Sequence, residues 1–364
     1  GLVFILYGDT PLITGDTISK TIDYHITQGY VVTVVTAEVE NPAGYGRIVR
    51  DSKGNVLKIV EHKDASPEEL KIKEINSGMY CFSIKHLLLA LKELKNNNNQ
   101  GEYYLTDTLE ILINKGFKVG AYVVEDPEEI LGVNDRIQLY QVSQILRKRI
   151  CIRHMKEGVT IIDPSNTYID AEVKIGIDTV IYPEVILEGN TVIGEDCVIG
   201  PNSRIINSKV GNNVQIQNSV IISSSIGDGA SIGPFAYIRP ESVIGENVKI
   251  GDFVEVKKSI IGNRTKIPHH SYIGDAEIGE NTNIGCGVIT VNYNGKEKNK
   301  TIIGNNAFVG CNVNLVAPVK VSDNSYIAAG STITETVPEY SLAIARERQI
   351  NKENWVIKKG MHRR

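Results

Sequence analysis

Long apolar runs, an excess of one charge and paired cysteines are all missing from this chain. No apolar run approaches the roughly 20 residues that a spanning helix needs. No charged segment with an apolar one behind it opens the chain, so neither a membrane anchor nor a secretory leader is expected. A net charge of −4 over 364 residues gives no case for a nucleic-acid partner. The cysteines Cys81, Cys151, Cys197, Cys286 and Cys311 are odd in number, scattered and without CxxC spacing. That usage points to reduced thiols in a cytoplasmic protein, not to a disulfide framework or a zinc site. An initiator methionine is also missing: the opening run Gly1 to Tyr7 reads as a buried parallel strand from its first residues, so further residues are expected to precede it.

What the chain does have is a repeat. An aliphatic residue returns every sixth position from about Ile169 to Thr334. Ile169, Ile175, Ile181, Leu187, Ile193, Ile199 and Ile205 keep one register, Ile226 to Val256 a second, and Ile303 to Ile333 a third. Period six fits neither an isolated helix nor an alternating strand. It fits a solenoid in which three short strands complete a triangular coil, each pointing one aliphatic side chain into a narrow core. The next residue is often glycine, as at Gly176, Gly194 and Gly251, which suits a corner where a side chain would clash or φ must be positive.

Residues 1–134 instead alternate strand-like runs (Val3 to Leu6, Tyr30 to Thr36) with helix-like ones (Asp16 to Gln28, Ile84 to Leu94), the pattern of an α/β sheet. Asp9 follows the first strand, a position where such sheets bind ligands and where an oxygen donor suits Mg²⁺ on a nucleotide phosphate; as a turn or cap residue it would carry no function. Residues 135–158 read as a basic, amphipathic linking helix.

Within the repeat, Arg239 and Lys257 each follow an inward aliphatic residue and are separated by one full coil of three hexads. The solenoid therefore stacks them on one face, about 4.8 Å apart. Two cations so close invite an anion such as phosphate, unless they merely pair with Glu255. Lys266-Ile-Pro-His269-His270-Ser-Tyr272 supplies two imidazoles, the side chain best suited to act as a base near neutral pH. The hexads break at Asn292 to Thr301, which marks a loop extruded from one edge.

The hexads resemble those of the left-handed parallel β-helix acyltransferases. In the first domain Tyr7-Gly8-Asp9, Gly44-Tyr-Gly46-Arg-Ile48, Glu61-His-Lys-Asp64, Glu74-Ile-Asn76-Ser-Gly78, Gly101 to Asp107 and Gly132-Val-Asn134 follow in order. With the repeat they are similar, over essentially the whole chain, to the bacterial bifunctional UDP-N-acetylglucosamine pyrophosphorylase/glucosamine-1-phosphate N-acetyltransferase family. The fold this implies is a partial Rossmann-like α/β nucleotidyltransferase domain (1–134), a linker helix (135–158), a left-handed parallel β-helix (159–337) and a tail (338–364).

The resemblance also implies residue roles. Tyr7, Gly8, Asp9, Gly44, Glu61, Asn76 and Asn134 would meet UDP-N-acetylglucosamine, with Asp9 and Asn134 holding Mg²⁺. Arg239, Lys257, Tyr272, Asn283 and Lys298 would bind glucosamine 1-phosphate, Lys298 reaching a neighbouring subunit. Cys286, Asn292, Tyr293, Cys311, Ala329 and Arg346 would line the acetyl-CoA groove of a homotrimer, and His269 would be the base. Cys311 replaces a hydroxyl residue, and a thiol is the weaker hydrogen-bond donor. The family's glycine-rich phosphate loop and its lysine would lie before Gly1, so little or no turnover of UTP is expected from residues 1–364. The basic tail Lys358 to Arg364 could meet the phosphates of CoA or stay disordered. Two rival readings are an acetyltransferase for another amino sugar phosphate and a nucleotidyltransferase-like scaffold.

Overall fold

The structure, a computed structural model, describes residues 1–96 and 101–361; His362, Arg363 and Arg364 of the basic tail lie outside them. The chain divides into two compact units, residues 1–146 and 147–364. No helix among the described residues is long and apolar enough to cross a membrane.

The first unit is one sheet with helices. Its strands are β1 (Leu2–Ile5), β2 (Val32–Glu38), β3 (Arg47–Arg50), β4 (Val56–Val60), β5 (Glu74–Ser83) and β6 (Val119–Val123), in the order β4-β3-β5-β2-β6 with β1 also on β5. Helix α1 (Gly15–Gln28) starts at Thr14, whose hydroxyl accepts from the Thr17 amide, and ends at Gly29 with φ 67°. Both follow from sequence: threonine is a good N-cap and glycine adopts the left-handed C-cap at low cost. Helices α2 (Ile84–Leu91) and α3 (Asp107–Asn114) follow β5. Strand β2 is buried through six of its seven residues, as a strand covered on both faces should be.

One expectation fails here. Strand β1 is not a buried parallel strand: it pairs antiparallel with β5, Leu2 opposite Ser83 and Ile5 opposite Tyr80, and Leu2 is exposed. An aliphatic run carries no information about the direction of its neighbour, and here that neighbour is remote in sequence.

The second unit is a parallel β-helix. Helix α4 (Arg136–Lys156) runs into it, and Ile150 and Cys151 join the core beneath the first coil. The strands stack in three parallel ladders of 11, 10 and 9, beginning at Thr160–Ile161, Tyr168–Ile169 and Lys174–Ile175 respectively. Each rung sends one aliphatic side chain inward, so Ile181, Leu187, Ile199, Ile250, Ile267 and Ile273 are fully buried. Corners are sealed by side chains that cap the backbone of the coil beside them: the Glu195 amide donates to Asn212 Oδ1 (2.9 Å) and the Glu246 amide to Asn263 Oδ1 (2.8 Å).

The glycine after the inward residue answers a close approach. A Cβ on Gly176 would sit 2.6 Å from the Gly194 carbonyl carbon, and one on Gly251 would sit 1.8 Å from the Pro268 oxygen, while neither residue has positive φ. Gly251→Ala must therefore push two coils apart. Overpacking of this kind typically costs about 1–3 kcal/mol and occasionally more. A melting temperature lower by about 2–12 °C is expected for a unit of this size; an unchanged transition in scanning calorimetry would show that the corner relaxes freely.

The breaks between the hexad registers also have a cause. Most steps between inward residues are six long and turn on a left-handed residue at the third place, as in Ile175 to Asp178 (φ 59°). The steps Ile205 to Val210, Ile216 to Ile221, Ile221 to Ile226, Val256 to Ile261 and Ile273 to Ile278 are one residue shorter. They turn at the second place, on Asn207, Asn218, Ser223, Lys258 and Asp275, all with positive φ. The residues between Val291 and Thr301 form a small hairpin closed by a Tyr293–Lys298 bridge.

Candidate active site

Two corners flank the second ladder where it runs through Tyr237–Ile238, Glu255–Lys257 and Tyr272–Gly274. At the corner before it, Asp252 and His269 are in register on adjacent coils. His269 Nδ1 lies 2.6 Å from Asp252 Oδ1. With a proton on Nδ1 donated to the carboxylate, the Nε2 lone pair is left free to accept one. The bond to His269 holds the Asp252 carboxyl below its ordinary range, so Asp252 stays ionised. Asp252 has no sequence signal of its own; it becomes visible only once the coil between it and His269 is counted as one residue short of three hexads.

His270 does not leave the strand on the opposite side, as simple alternation would require. It has φ 40° and turns the corner, so the strand rule does not apply to it. Its Nε2 lies 3.9 Å from Asp252 Oδ2, beyond hydrogen-bond range, and its ring rests on Phe253 at 4.9 Å. Phe253 in turn stacks on Phe235 at 5.3 Å.

The residues above His269 on the same corner are Cys286, Cys311 and Ala329, one per coil. The Gly287 amide donates to His270 O, that of Asn312 to Cys286 O and that of Gly330 to Cys311 O, at 3.0, 2.7 and 2.8 Å. The arrangement thus brings His269 and three of the six residues expected in the acetyl-CoA groove into one column. Arg346 passes beside its end: a Cβ on Gly330 would lie 3.9 Å from Arg346 Cδ.

At the corner after the second ladder, Arg239 and Lys257 follow the register pair Ile238 and Val256. Each has a carboxylate: Arg239 Nη1 is 2.8 Å from Glu255 Oε1, and Lys257 Nζ is 3.1 Å from Asp275 Oδ2. Glu255 therefore pairs with one cation only. Lys298 returns from the hairpin to the side of Lys257 in its own chain. The Lys257 ammonium beside it holds Lys298 below the usual lysine value. Asn292 is buried here, its amide donating to Asp275 Oδ2 and, at 3.3 Å, to the Tyr272 hydroxyl. Asp275, like Asp252, was not evident as a site residue. Tyr293 turns its hydroxyl back to the Gly295 carbonyl, and Asn283 sits on the first ladder between Lys266 and Phe308.

In the first unit, Tyr7 lies against Gly78, where a Cβ would meet its ring at 2.0 Å. Burial raises the Tyr7 phenol, with the charges of Glu61 and Asp9 adding to it. Burial likewise raises the Glu61 carboxyl, with Asp64 and Asp107 contributing. Asn76 accepts from the Gly78 amide (2.9 Å) and the Tyr80 hydroxyl (3.1 Å). Gly44 takes φ 86° in the loop before β3. The Asp9 carbonyl accepts from the Val133 amide at 2.8 Å, which sets Asn134 beside Asp9. One carboxylate and one amide oxygen are hard donors that fit Mg²⁺, whose remaining positions usually go to water and phosphate.

These features define a class, a transferase that joins a nucleotidyl transferase sheet to a hexapeptide β-helix. Residues 2–127 match the nucleotidyl transferase family, residues 172–207 and 300–335 the bacterial transferase hexapeptide (six repeats), and residues 224–297 the GMPPB C-terminal domain. The bifunctional protein GlmU of Acetivibrio thermocellus is 67% identical over 363 residues, covering 100% of this chain and 79% of that protein. Those of Caldanaerobacter subterraneus subsp. tengcongensis and Clostridium acetobutylicum are 63% and 60% identical, each over 99% of this chain and 79% of their own length. The chain belongs to the GlmU family of bifunctional proteins.

Proposed function

We propose that this chain transfers the acetyl group of acetyl-CoA to the amine of glucosamine 1-phosphate. The observation that carries the reading is the spacing of two unlike groups across the second ladder. A base, His269 on Asp252, stands at one edge, and the cations Arg239, Lys257 and Lys298 stand at the other. The strand between them, Tyr272–Gly274, has three residues, about 10 Å at roughly 3.3 Å each. That span suits a sugar held by its phosphate at the cationic edge with its amine turned towards the imidazole.

In this reading the substrate ammonium first gives one proton to solvent, the neutral amine attacks the thioester carbonyl, and His269 Nε2 takes the second nitrogen proton as the carbon–nitrogen bond forms. The carbon–sulfur bond breaks, and the thiolate of CoA leaves along the column of Cys286, Cys311 and Ala329. Asp252 keeps Nδ1 protonated and steadies the imidazolium, the part an acidic residue plays beside a catalytic histidine. In the first unit Tyr7, Gly8, Asp9, Gly44, Glu61 and Asn76 bind a nucleotide sugar. Asp9 and Asn134 would hold Mg²⁺, which would neutralise its phosphates.

Release of the CoA thiol in the presence of glucosamine 1-phosphate tests the reading, and no release above the substrate-free rate would end it. A panel of amino sugar phosphates separates this acceptor from its isomers. We also expect a homotrimer: the hairpin at Asn292 leaves one edge of the solenoid, and in the family that this chain resembles that edge packs against a neighbour in a closed ring. Sedimentation at assay concentration should give three chains per particle; a fully active monomer would refute the assembly.

A further inference from the structure

Of the five cysteines, three are buried and burial raises their thiols, that of Cys81 to about 11. The other two reach the surface, Cys286 half-buried and Cys311 exposed. They also occupy one position of the repeat. Cys286 lies two residues past Ile284 and Cys311 two past Val309, and those two aliphatic residues are paired across the first ladder. Each cysteine stands immediately before a left-handed corner residue, Gly287 (φ 75°) and Asn312 (φ 54°). The Asn312 amide donates to the Cys286 carbonyl at 2.7 Å, which fixes the two rungs together. Equivalent positions on adjacent parallel rungs project side chains in the same direction, about 4.8 Å apart.

That separation decides what the pair can do. A disulfide needs Cβ atoms about 3.5–4.5 Å apart, closer than two rungs come without bending the ladder. A metal held by two thiolates with bonds near 2.3 Å spans about 4.6 Å when linear, close to the rung spacing. No three His, Cys, Asp or Glu side chains converge on a metal position among the described residues, so a tetrahedral zinc site is not built here. Two thiolates alone favour a soft cation that is satisfied by two ligands, such as Cu(I) or Hg(II).

We infer that Cys286 and Cys311 form a two-thiolate site for a soft, linearly coordinated cation, and that its occupation closes the column above His269 to acetyl-CoA. The second half rests on the function proposed above; the first does not. Binding breaks two S–H bonds, forms two S–metal bonds and releases two protons to solvent, with no change of oxidation state.

Hg²⁺ titrated into the whole chain against a competing monothiol tests the site. One metal per chain should remove both reagent-accessible thiols and release two protons. The second thiol acts as an intramolecular partner, so Cys286→Ala and Cys311→Ser should each weaken retention of the metal by about 10²-fold or more. Two metals per chain, or single variants that hold Hg²⁺ as the parent does, would overturn the site. Acetyl-CoA binding, measured by calorimetry, should be lost in the loaded parent. If one metal bridges both thiols and acetyl-CoA still binds, occlusion is wrong although the site stands. If the metal-free parent neither binds acetyl-CoA nor releases CoA, the proposed function fails, while the thiol and proton counts still decide the site.

Discussion

Replacing His269 with alanine should lower kcat for acetyl transfer by about 10²- to 10⁴-fold, the usual value of a positioned general base, with both KM values changed only modestly. The amine of the acceptor is largely protonated near neutral pH, and no other imidazole among the described residues stands on the Asp252 carboxylate within hydrogen-bond range. His270→Ala should stay within a few-fold of the parent, since its ring packs on Phe253 and lies 3.9 Å from the carboxylate. Asp252→Asn provides the internal control. It keeps the shape but removes a charged hydrogen bond worth about 1.5–3 kcal/mol, so kcat should fall by roughly 10- to 100-fold. Steady-state rates of the three variants check this: an inactive His270→Ala with an active His269→Ala would exchange the two roles, and three fully active variants would remove the histidine from the mechanism.

Arg239→Ala and Lys257→Ala should each raise KM for glucosamine 1-phosphate about 10- to 100-fold, the cost of one charged hydrogen bond to phosphate, and leave acetyl-CoA binding nearly intact. The ion pairs add a feature that the spacing of the two residues could not show. Each cation is the partner of a carboxylate, Glu255 or Asp275, so its removal leaves that carboxylate facing the substrate phosphate. The Lys257–Asp275 pair is the less exposed of the two, with both side chains at 15%, so Lys257→Ala should be the more damaging change. Unchanged affinity for the sugar phosphate in both variants, measured by calorimetry, would rule out the clamp.

The repeat was legible because one inward aliphatic residue per strand is a one-dimensional rule, and the register of ladder neighbours follows from it. The stacking of Arg239 on Lys257 was legible for the same reason: the coil between them is three whole hexads. The Asp252–His269 pair was not, because the intervening coil contains one of the shortened steps and the uniform period misplaces it by one. Nor could the orientation of His270 be read, since a left-handed corner residue obeys neither strand nor helix alternation. In the sheet of the first unit the strands themselves were visible. The antiparallel pairing of Leu2 with Ser83 was not, because neither segment encodes the direction of its partner.

The shortened corners bear on how such a chain can change over generations. In an ordinary strand the loss of one residue turns every following side chain to the wrong face. Here a loss at a corner is absorbed on the spot: at Asn207, Asn218 and Ser223 the left-handed turn comes one place sooner, and the next aliphatic residue still arrives inside. A lineage can therefore gain or lose single residues at these corners without dismantling the columns that follow, provided asparagine, serine or another residue tolerant of positive φ stands at the turn.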